Sequence, residues 1–304
     1  MKSPHSLTSI LDAAKNVWKP ALLAGALAIT PALARAQTTL TNNTVQSGSA
    51  GATVVGVATT PTSNYIVDQY LTTGITKPDN QNQTAIYGNA DLGNIVAAGS
   101  YDATSHLELG VNAGVSTLYR VNNPDGQILD SWNFGSTIFN GVTSKVAGKT
   151  YLSQADGSVA SFDFASTLVD TGRSIGAGRI LADAYTLQGN STPRLLAVSG
   201  YDVFDFGSDG SHINYAASNS IVGSFADVVL DSNENLTPGS AQKIWGAYNS
   251  SGAGWIAGFD GFSSAAVPEP ATCTGLAGSA ALLAAAALRR RKQPSVETEK
   301  PYRK

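Results

Sequence analysis

His106-Leu-Glu-Leu-Gly-Val111, Lys149-Thr-Tyr-Leu-Ser-Gln154, Arg194-Leu-Leu-Ala-Val-Ser199 and Lys243-Ile-Trp-Gly-Ala-Tyr248 are short runs rich in apolar, β-branched and aromatic residues, and their starts lie 43, 45 and 49 residues apart. Each is followed by a polar turn and a second run of the same character: Ser116–Val121, Ser158–Phe164, Tyr201–Gly207 and Gly254–Asp260. Ahead of each stands another, at Asn94–Gly99, Gly141–Val146, Arg179–Tyr185 and Ala226–Asp231. In three of the four units a further run closes the set, at Gln127–Ser131, Thr167–Thr171 and His212–Ala216. Runs of this length bounded by Gly, Asn, Asp and Ser clusters read as strands joined by tight turns.

Up to four antiparallel strands recurring about every 45 residues is the spacing of a β-propeller blade, a small sheet that buries both faces against its neighbours around an axis. The expected fold is therefore all-β and propeller-like, with four to five small antiparallel sheets. Asn123-Pro124-Asp125-Gly126 and Ser208-Asp209-Gly210-Ser211 sit where hairpins between the third and fourth strands need them, glycine supplying the positive φ. A fainter N-terminal unit is expected at Thr53–Ala58 and Tyr65–Tyr70. The last unit lacks an outer strand after Phe259, and Tyr65–Leu71 is expected to complete it. A two-sheet β-sandwich is the competing architecture, since it too yields short strands at even spacing.

Charge separates the body of the chain from its ends. Of 22 Asp and Glu, 18 fall between Gln37 and Ala266, against 8 of the 19 Lys and Arg, so this stretch carries about −10. A surface of that sign repels phosphate backbones and argues against nucleic acid as a partner. The single cysteine, Cys273, lies outside it, which excludes a disulfide framework, a thiolate metal site and a cysteine nucleophile there.

Residues 1–36 read as a signal peptide, with Lys2, Lys15 and Lys19 before an apolar stretch from Ala21 to Leu33. Ala34-Arg35-Ala36 places small side chains at the two positions a signal peptidase grips, so cleavage is expected before Gln37. The stretch is broken by Thr30 and Pro31 and is shorter than the roughly 20 residues a bilayer requires.

At the other end Val267-Pro268-Glu269-Pro270 precedes an apolar segment that stops at Arg289-Arg290-Arg291-Lys292. The 18 residues Ala271–Leu288 would make a helix of about 27 Å, enough for a hydrocarbon core. Four cations beyond it hold that end in the cytoplasm by the positive-inside rule and leave the preceding domain outside. The two prolines make the entrance stiff and extended. One C-terminal transmembrane helix is expected, followed by a charged cytoplasmic tail at 293–304.

This arrangement resembles the PEP-CTERM sorting signal, in which a Pro-Glu-Pro tripeptide, a transmembrane helix and a basic cluster are recognised by an exosortase, a membrane protease. The resemblance covers residues 267–292. It implies that Pro268, Glu269 and Pro270 are the recognition residues, that the tail is removed or exchanged on the way to the cell surface, and that the host is Gram-negative and makes exopolysaccharide.

Candidate chemistry in the body, taken as residues 37–266, is sparse. His106 and His212 each stand beside an expected strand and read as surface or edge residues. No G-x-S-x-G elbow, metal-binding histidine spacing, phosphate loop or dinucleotide fingerprint is present, so neither a catalytic residue nor a cofactor is assigned. Asp231-Ser-Asn233-Glu-Asn235 opens like a calcium loop but lacks the glycine and distal glutamate, and reads as a solvated turn. Phe162-Asp163, Phe204-Asp205 and Phe259-Asp260 recur in the second runs, which predicts phenylalanine turned inward and aspartate outward. Trp132, Trp245 and Trp255 are available to stack on sugar faces, and core packing explains most of them equally well.

The sequence thus points to a non-enzymatic exported surface or matrix protein, membrane-bound through its C-terminal helix. It would serve as a scaffold contacting extracellular polysaccharide or another surface protein. The alternative is an exported polysaccharide hydrolase or lyase, which needs two carboxylates about 5–10 Å apart in a cleft, one with a raised pKa. A calcium-dependent adhesion module is the third reading.

Overall fold

The computed structural model describes residues 38–46, 53–69, 71–77, 83–88, 92–165, 167–217, 221, 223–231 and 235–264. All regular structure in them is β. The chain opens with β1 (Thr38–Thr39) and β2 (Thr41–Gln46). Five four-stranded units follow in order around an axis, forming a five-blade propeller.

Blade 1 contains β3 (Val54–Thr59), β4 (Ser63–Asp68), β5 (Leu71–Thr76) and β6 (Gln83–Gly88). Blade 2 contains β7 (Asn94–Ser100), β8 (Ser105–Asn112), β9 (Val115–Asn122) and β10 (Ile128–Asn133). Blade 3 contains β11 (Gly141–Val142), β12 (Thr150–Ser153), β13 (Ser158–Phe162) and β14 (Leu168–Ser174). Blade 4 contains β15 (Ile180–Leu187), β16 (Asn190–Ser199), β17 (Asp202–Phe206) and β18 (His212–Ala216). Blade 5 contains β19 (Ser224–Leu230), β20 (Ala241–Ser250) and β21 (Ala253–Ser263) from the end of the domain, with β2 from its beginning as fourth strand.

Closure therefore differs from the sequence expectation. Ser63–Asp68 is the second strand of blade 1, and the strand that completes blade 5 is β2, whose Thr41 pairs with Asp260 and Gln46 with Ile256. The physical reason is that an outer strand is held by its ladder of backbone hydrogen bonds, so the polar Thr-Asn-Asn-Thr-Val-Gln serves as well as an apolar run. β1 adds a short parallel edge to β18.

Burial within a blade runs from the axis outward. β15 is buried over its last seven residues, and β8 over its first six. The outer β10 and β14 are mostly exposed. Strands with both faces covered lose the period-two alternation, which is why they read as continuous apolar runs. Apolar clusters fill all five blade interfaces. Examples are Leu109 with Leu152 between blades 2 and 3, Leu181 with Val159 between blades 3 and 4, and Val57 with Ile256 between blades 5 and 1.

The inner strands approach each other closely enough to require glycine. A Cβ on Gly56 would lie 2.5 Å from the backbone nitrogen of Ala98, and one on Gly141 would lie 2.4 Å from the carbonyl oxygen of Leu181. Four of the five inner strands also carry a bulge, between Val54 and Gly56, Ile95 and Ala97, Leu181 and Asp183, and Phe225 and Asp227. A bulge at that place increases the local twist. The expected turns are present, with Gly126 at φ 72° and Gly210 at φ 78°.

Candidate functional site

Hydrogen bonds run from blade to blade around the axis, each from a backbone amide in or just past an inner strand to a neighbouring side chain. Thr59 N donates to Ser100 Oγ at 2.8 Å, and Ser100 N to Ser144 Oγ at 3.1 Å. Ser144 N donates to Asp183 Oδ1 at 3.2 Å, and Leu230 N to Asp183 Oδ2 at 2.7 Å. Val57 N closes the ring on Asp227 Oδ2 at 2.8 Å. Inner strands of blades 2 and 4 also touch across the axis.

Asp183 and Asp227 are buried, at 0 % and 3 % exposure, and both are turned to backbone donors. Burial pushes the Asp183 carboxyl up to about 6, although the amides of Leu230 and Ser144 pull the other way. Burial pushes the Asp227 pKa well above its ordinary value, and the neighbouring Asp183 charge adds to it. Raised pKa values suit an acid catalyst, but these two groups face no cleft. They tie blades together.

Where the inner strands end, the axis opens into a cavity of about 320 Å³ whose walls include Thr59, Ser100, Tyr101, Asp102, Lys145 and Asp231. Each of these residues stands at or just past the end of its blade's inner strand. Lys77, from the end of β5, bonds Asp231 Oδ1 at 2.5 Å, Thr59 Oγ1 at 2.6 Å and the Thr60 carbonyl at 2.8 Å. Trp245 Nε1 donates to the same Asp231 oxygen at 2.9 Å. Burial works to raise the Asp231 pKa, but these bonds and the charges of Lys77 and Lys243 outweigh it and hold the carboxyl below its ordinary value.

On the opposite wall Asp102 Oδ1 accepts from the amides and hydroxyls of Thr104 and Ser105, and Asp102 Oδ2 takes Arg120 at 3.0 Å. Burial opposes ionisation of Asp102, and these partners prevail, so its pKa is lowered. The Tyr101 ring receives Lys145 Nζ at 3.8 Å and the Arg120 guanidinium at 4.3 Å from its centroid. Phe164 meets the same ring edge-on at 5.0 Å. Phe164 has φ 63°, a left-handed conformation costly for an aromatic residue and held by packing on Trp132 and Phe162.

Sequence reasoning missed this mouth, because Lys77, Tyr101, Asp102, Arg120, Lys145 and Lys243 form no motif. The repeat contained the signal: the positions just past each first strand converge once the strands are wrapped around an axis.

Other expectations divide. His106 is not at the surface: it is 1 % exposed between blades 1 and 2. Its Nδ1 meets Asn123 Oδ1 at 2.7 Å, its Nε2 meets Glu108 Oε1 at 2.8 Å, and Tyr65 stacks on its ring. The reason is that β8 is interior on both faces. His212 is exposed, against Phe204 and Phe206. Asp260 points outward as expected, and Asp163 caps the amides of Ala165 and Thr167. Asp205 does not point outward: it is fully buried, bonded by Arg194 at 2.8 Å and the Tyr185 hydroxyl at 2.8 Å. Trp245 is buried, and Trp132 and Trp255 pack partly buried against apolar clusters.

Asn233 and Glu234 of the calcium-like stretch lie outside the described residues, and Lys77 is paired with Asp231 through Oδ1. Among the described residues no group of three His, Cys, Asp or Glu side chains could hold a metal ion, and no helix is long and apolar enough to cross a membrane. Ala34, Ala36, Gln37, Val267, Pro268, Glu269, Pro270, Arg289, Arg290, Arg291 and Lys292 lie outside the described residues, as does the expected transmembrane helix.

Comparison with known proteins bears on the tail and on the fold. Residues 266–292 match the family model of the PEP-CTERM protein-sorting motif. That motif implies export, processing by an exosortase and association with the membrane or cell surface. No curated protein matches the chain. Among solved structures, glutaminyl cyclase of Myxococcus xanthus superposes with a TM-score of 0.50 at 13 % identity, over 73 % of this chain and 96 % of that one. The WD40 propeller domain of Doa1 gives 0.38 at 14 % identity, covering 70 % of this chain and 67 % of that one. Virginiamycin B lyase of Staphylococcus aureus gives 0.38 at 10 % identity, covering 77 % and 76 %. The first of these likenesses concerns the fold alone. The fold is a five-blade propeller, and the sorting motif implies that it belongs to an exosortase-sorted extracellular protein.

Proposed function

We propose that the chain is a non-enzymatic surface scaffold, exported and cut before Gln37 by signal peptidase, that contacts exopolysaccharide through its axial mouth. In this reading residues 37–266 are the displayed domain, 267–292 the sorting signal with its membrane helix, and 293–304 the cytoplasmic tail. The observation that supports it is the use made of the carboxylates. Asp183 and Asp227 are buried on backbone amides, Asp205 is held by Arg194 and Tyr185, and Asp102 and Asp231 are held by Arg120 and Lys77. A glycosidase mechanism needs one carboxyl to give a proton and another to face the sugar. A binding site needs only an open cavity with polar walls, which the mouth supplies.

The test uses full-length protein in detergent, incubated with a panel of neutral and acidic polysaccharides. Retention on at least one polysaccharide, with no new reducing ends or unsaturated products, is the expected result. Product formation that survives further purification overturns the scaffold reading in favour of a hydrolase or lyase. Failure to retain any member of the panel overturns it as well.

A further inference from the structure

The domain is acidic overall, with 8 Lys and Arg against 18 Asp and Glu between Gln37 and Ala266. Yet four of those eight cations, Lys77, Arg120, Lys145 and Lys243, gather around one cavity. Lys145 forms part of its wall. Lys77 and Arg120 are bonded to its two lining carboxylates, Asp231 and Asp102. Lys243 lies with its ammonium 4.3 Å from the Trp245 ring centroid, close enough for its charge to act on Asp231.

Lys77 and Arg120 balance the two carboxylates, and Arg120 is shared with the more outlying Asp130 at 3.3 Å. Among the described residues, Lys145 and Lys243 have no carboxylate within ion-pair distance. Both are half-buried. The Lys145 ammonium is held in place by the Tyr101 ring, which supplies a quadrupole but no counter-charge. The positive excess is therefore local. The Debye length is about 8 Å at physiological salt, so the acidic exterior is largely screened from a group already inside the mouth, and the nearby ammoniums dominate.

We infer that the mouth takes an anionic sugar, the carboxylate of a uronic-acid residue, with Lys145 as its cation. This rests on the reading of the chain as a polysaccharide-binding scaffold and specifies which polysaccharides it recognises. At about 320 Å³ the cavity is at the small end for ligand sites, which run from about 300 Å³ upward. Such a space suits a chain end or a single branch sugar rather than a length of polymer.

The test is calorimetric titration of full-length protein in detergent with a galacturonic-acid trisaccharide, its neutral galactose counterpart and sodium sulfate. The uronate is expected to bind at least about tenfold more tightly than the neutral sugar, and to weaken as salt rises from about 50 to about 500 mM. Lys145→Met is expected to lower uronate affinity about tenfold or more with an unchanged melting temperature, and Lys145→Arg to retain most of it. Equal affinity for the two sugars, or Lys145→Met binding like wild type, overturns the anionic preference and leaves the scaffold reading standing. Sulfate binding without either sugar overturns the uronate assignment. If retention on polysaccharide has itself failed, the scaffold reading falls and this inference falls with it. Should Lys145→Met not fold, the comparison of charged with neutral sugar and the salt dependence decide on wild-type protein.

Discussion

Asp227 and Asp231 stand four residues apart on and just past one inner strand, and the fold puts them to opposite uses. Asp227 lies within the seam, bonded to the Val57 and Val228 amides, and burial pushes its pKa up. Asp231 lies at the mouth, bonded to Lys77 and Trp245, and stays ionised. Asp183 and Asp102 repeat the contrast on two other blades. The lesson is that depth along the axis, rather than residue type, decides whether a carboxylate holds the ring together or shapes its opening.

The contrast breaks most visibly if a seam carboxylate is removed. Asp183→Ala leaves the amides of Ser144 and Leu230 buried without an acceptor, and each orphaned donor costs about 1–3 kcal/mol. A loss of about 2–4 kcal/mol is expected in urea unfolding followed by tryptophan fluorescence. A loss below about 1 kcal/mol would mean that water or a side-chain shift replaces the carboxylate.

Acidity sharpens the same contrast. The folded pKa of Asp183 is about 6, above its unfolded value of about 3.9. Its contribution is therefore most favourable below about pH 4 and declines as pH rises toward 6. Asp102 and Asp231 have lowered values, so their contributions are present above about pH 4 and are lost below it. Stability should peak near about pH 4 and fall by about 2–3 kcal/mol toward pH 7.5, most of it between about pH 4 and 6. Asp183→Asn should flatten that fall in thermal melts recorded across the range. A wild-type melting temperature constant from pH 5 to pH 7.5 would show that the seam does not titrate.

The smallest effect is expected at the mouth. Asp231 is 46 % exposed and its partner Lys77 13 % exposed in their side chains. Asp231→Ala should cost about 1 kcal/mol or less, shrinking further in high salt. A loss as large as that of Asp183→Ala would place both carboxylates in one structural class.

The sequence made the blades legible where strands are covered on both faces. Ile180–Leu187 and Ser105–Asn112 stand out because nearly all of their positions are buried. It hid β2, a strand of Thr, Asn, Val and Gln that pairs along its backbone with β21. It also hid β5 and β6, whose threonines and glycines read as turn. Asp205 was misjudged because the alternation rule presumes one wet face, and β17 has none. The mouth was illegible for another reason: Lys77 and Asp231 are 154 residues apart, and only the wrapped ring makes them neighbours.

The pairing of β2 with β21 has a consequence for secretion. Thr41 belongs to the earliest part of the domain to be synthesised, and its partner Asp260 to the last. A polypeptide threaded through a membrane amino end first cannot shut its circle until the final hairpin has crossed. Its leading segment has to wait, unpaired, on the far side. If the chain is threaded in that direction, its fifth blade can be completed only after β21 has emerged.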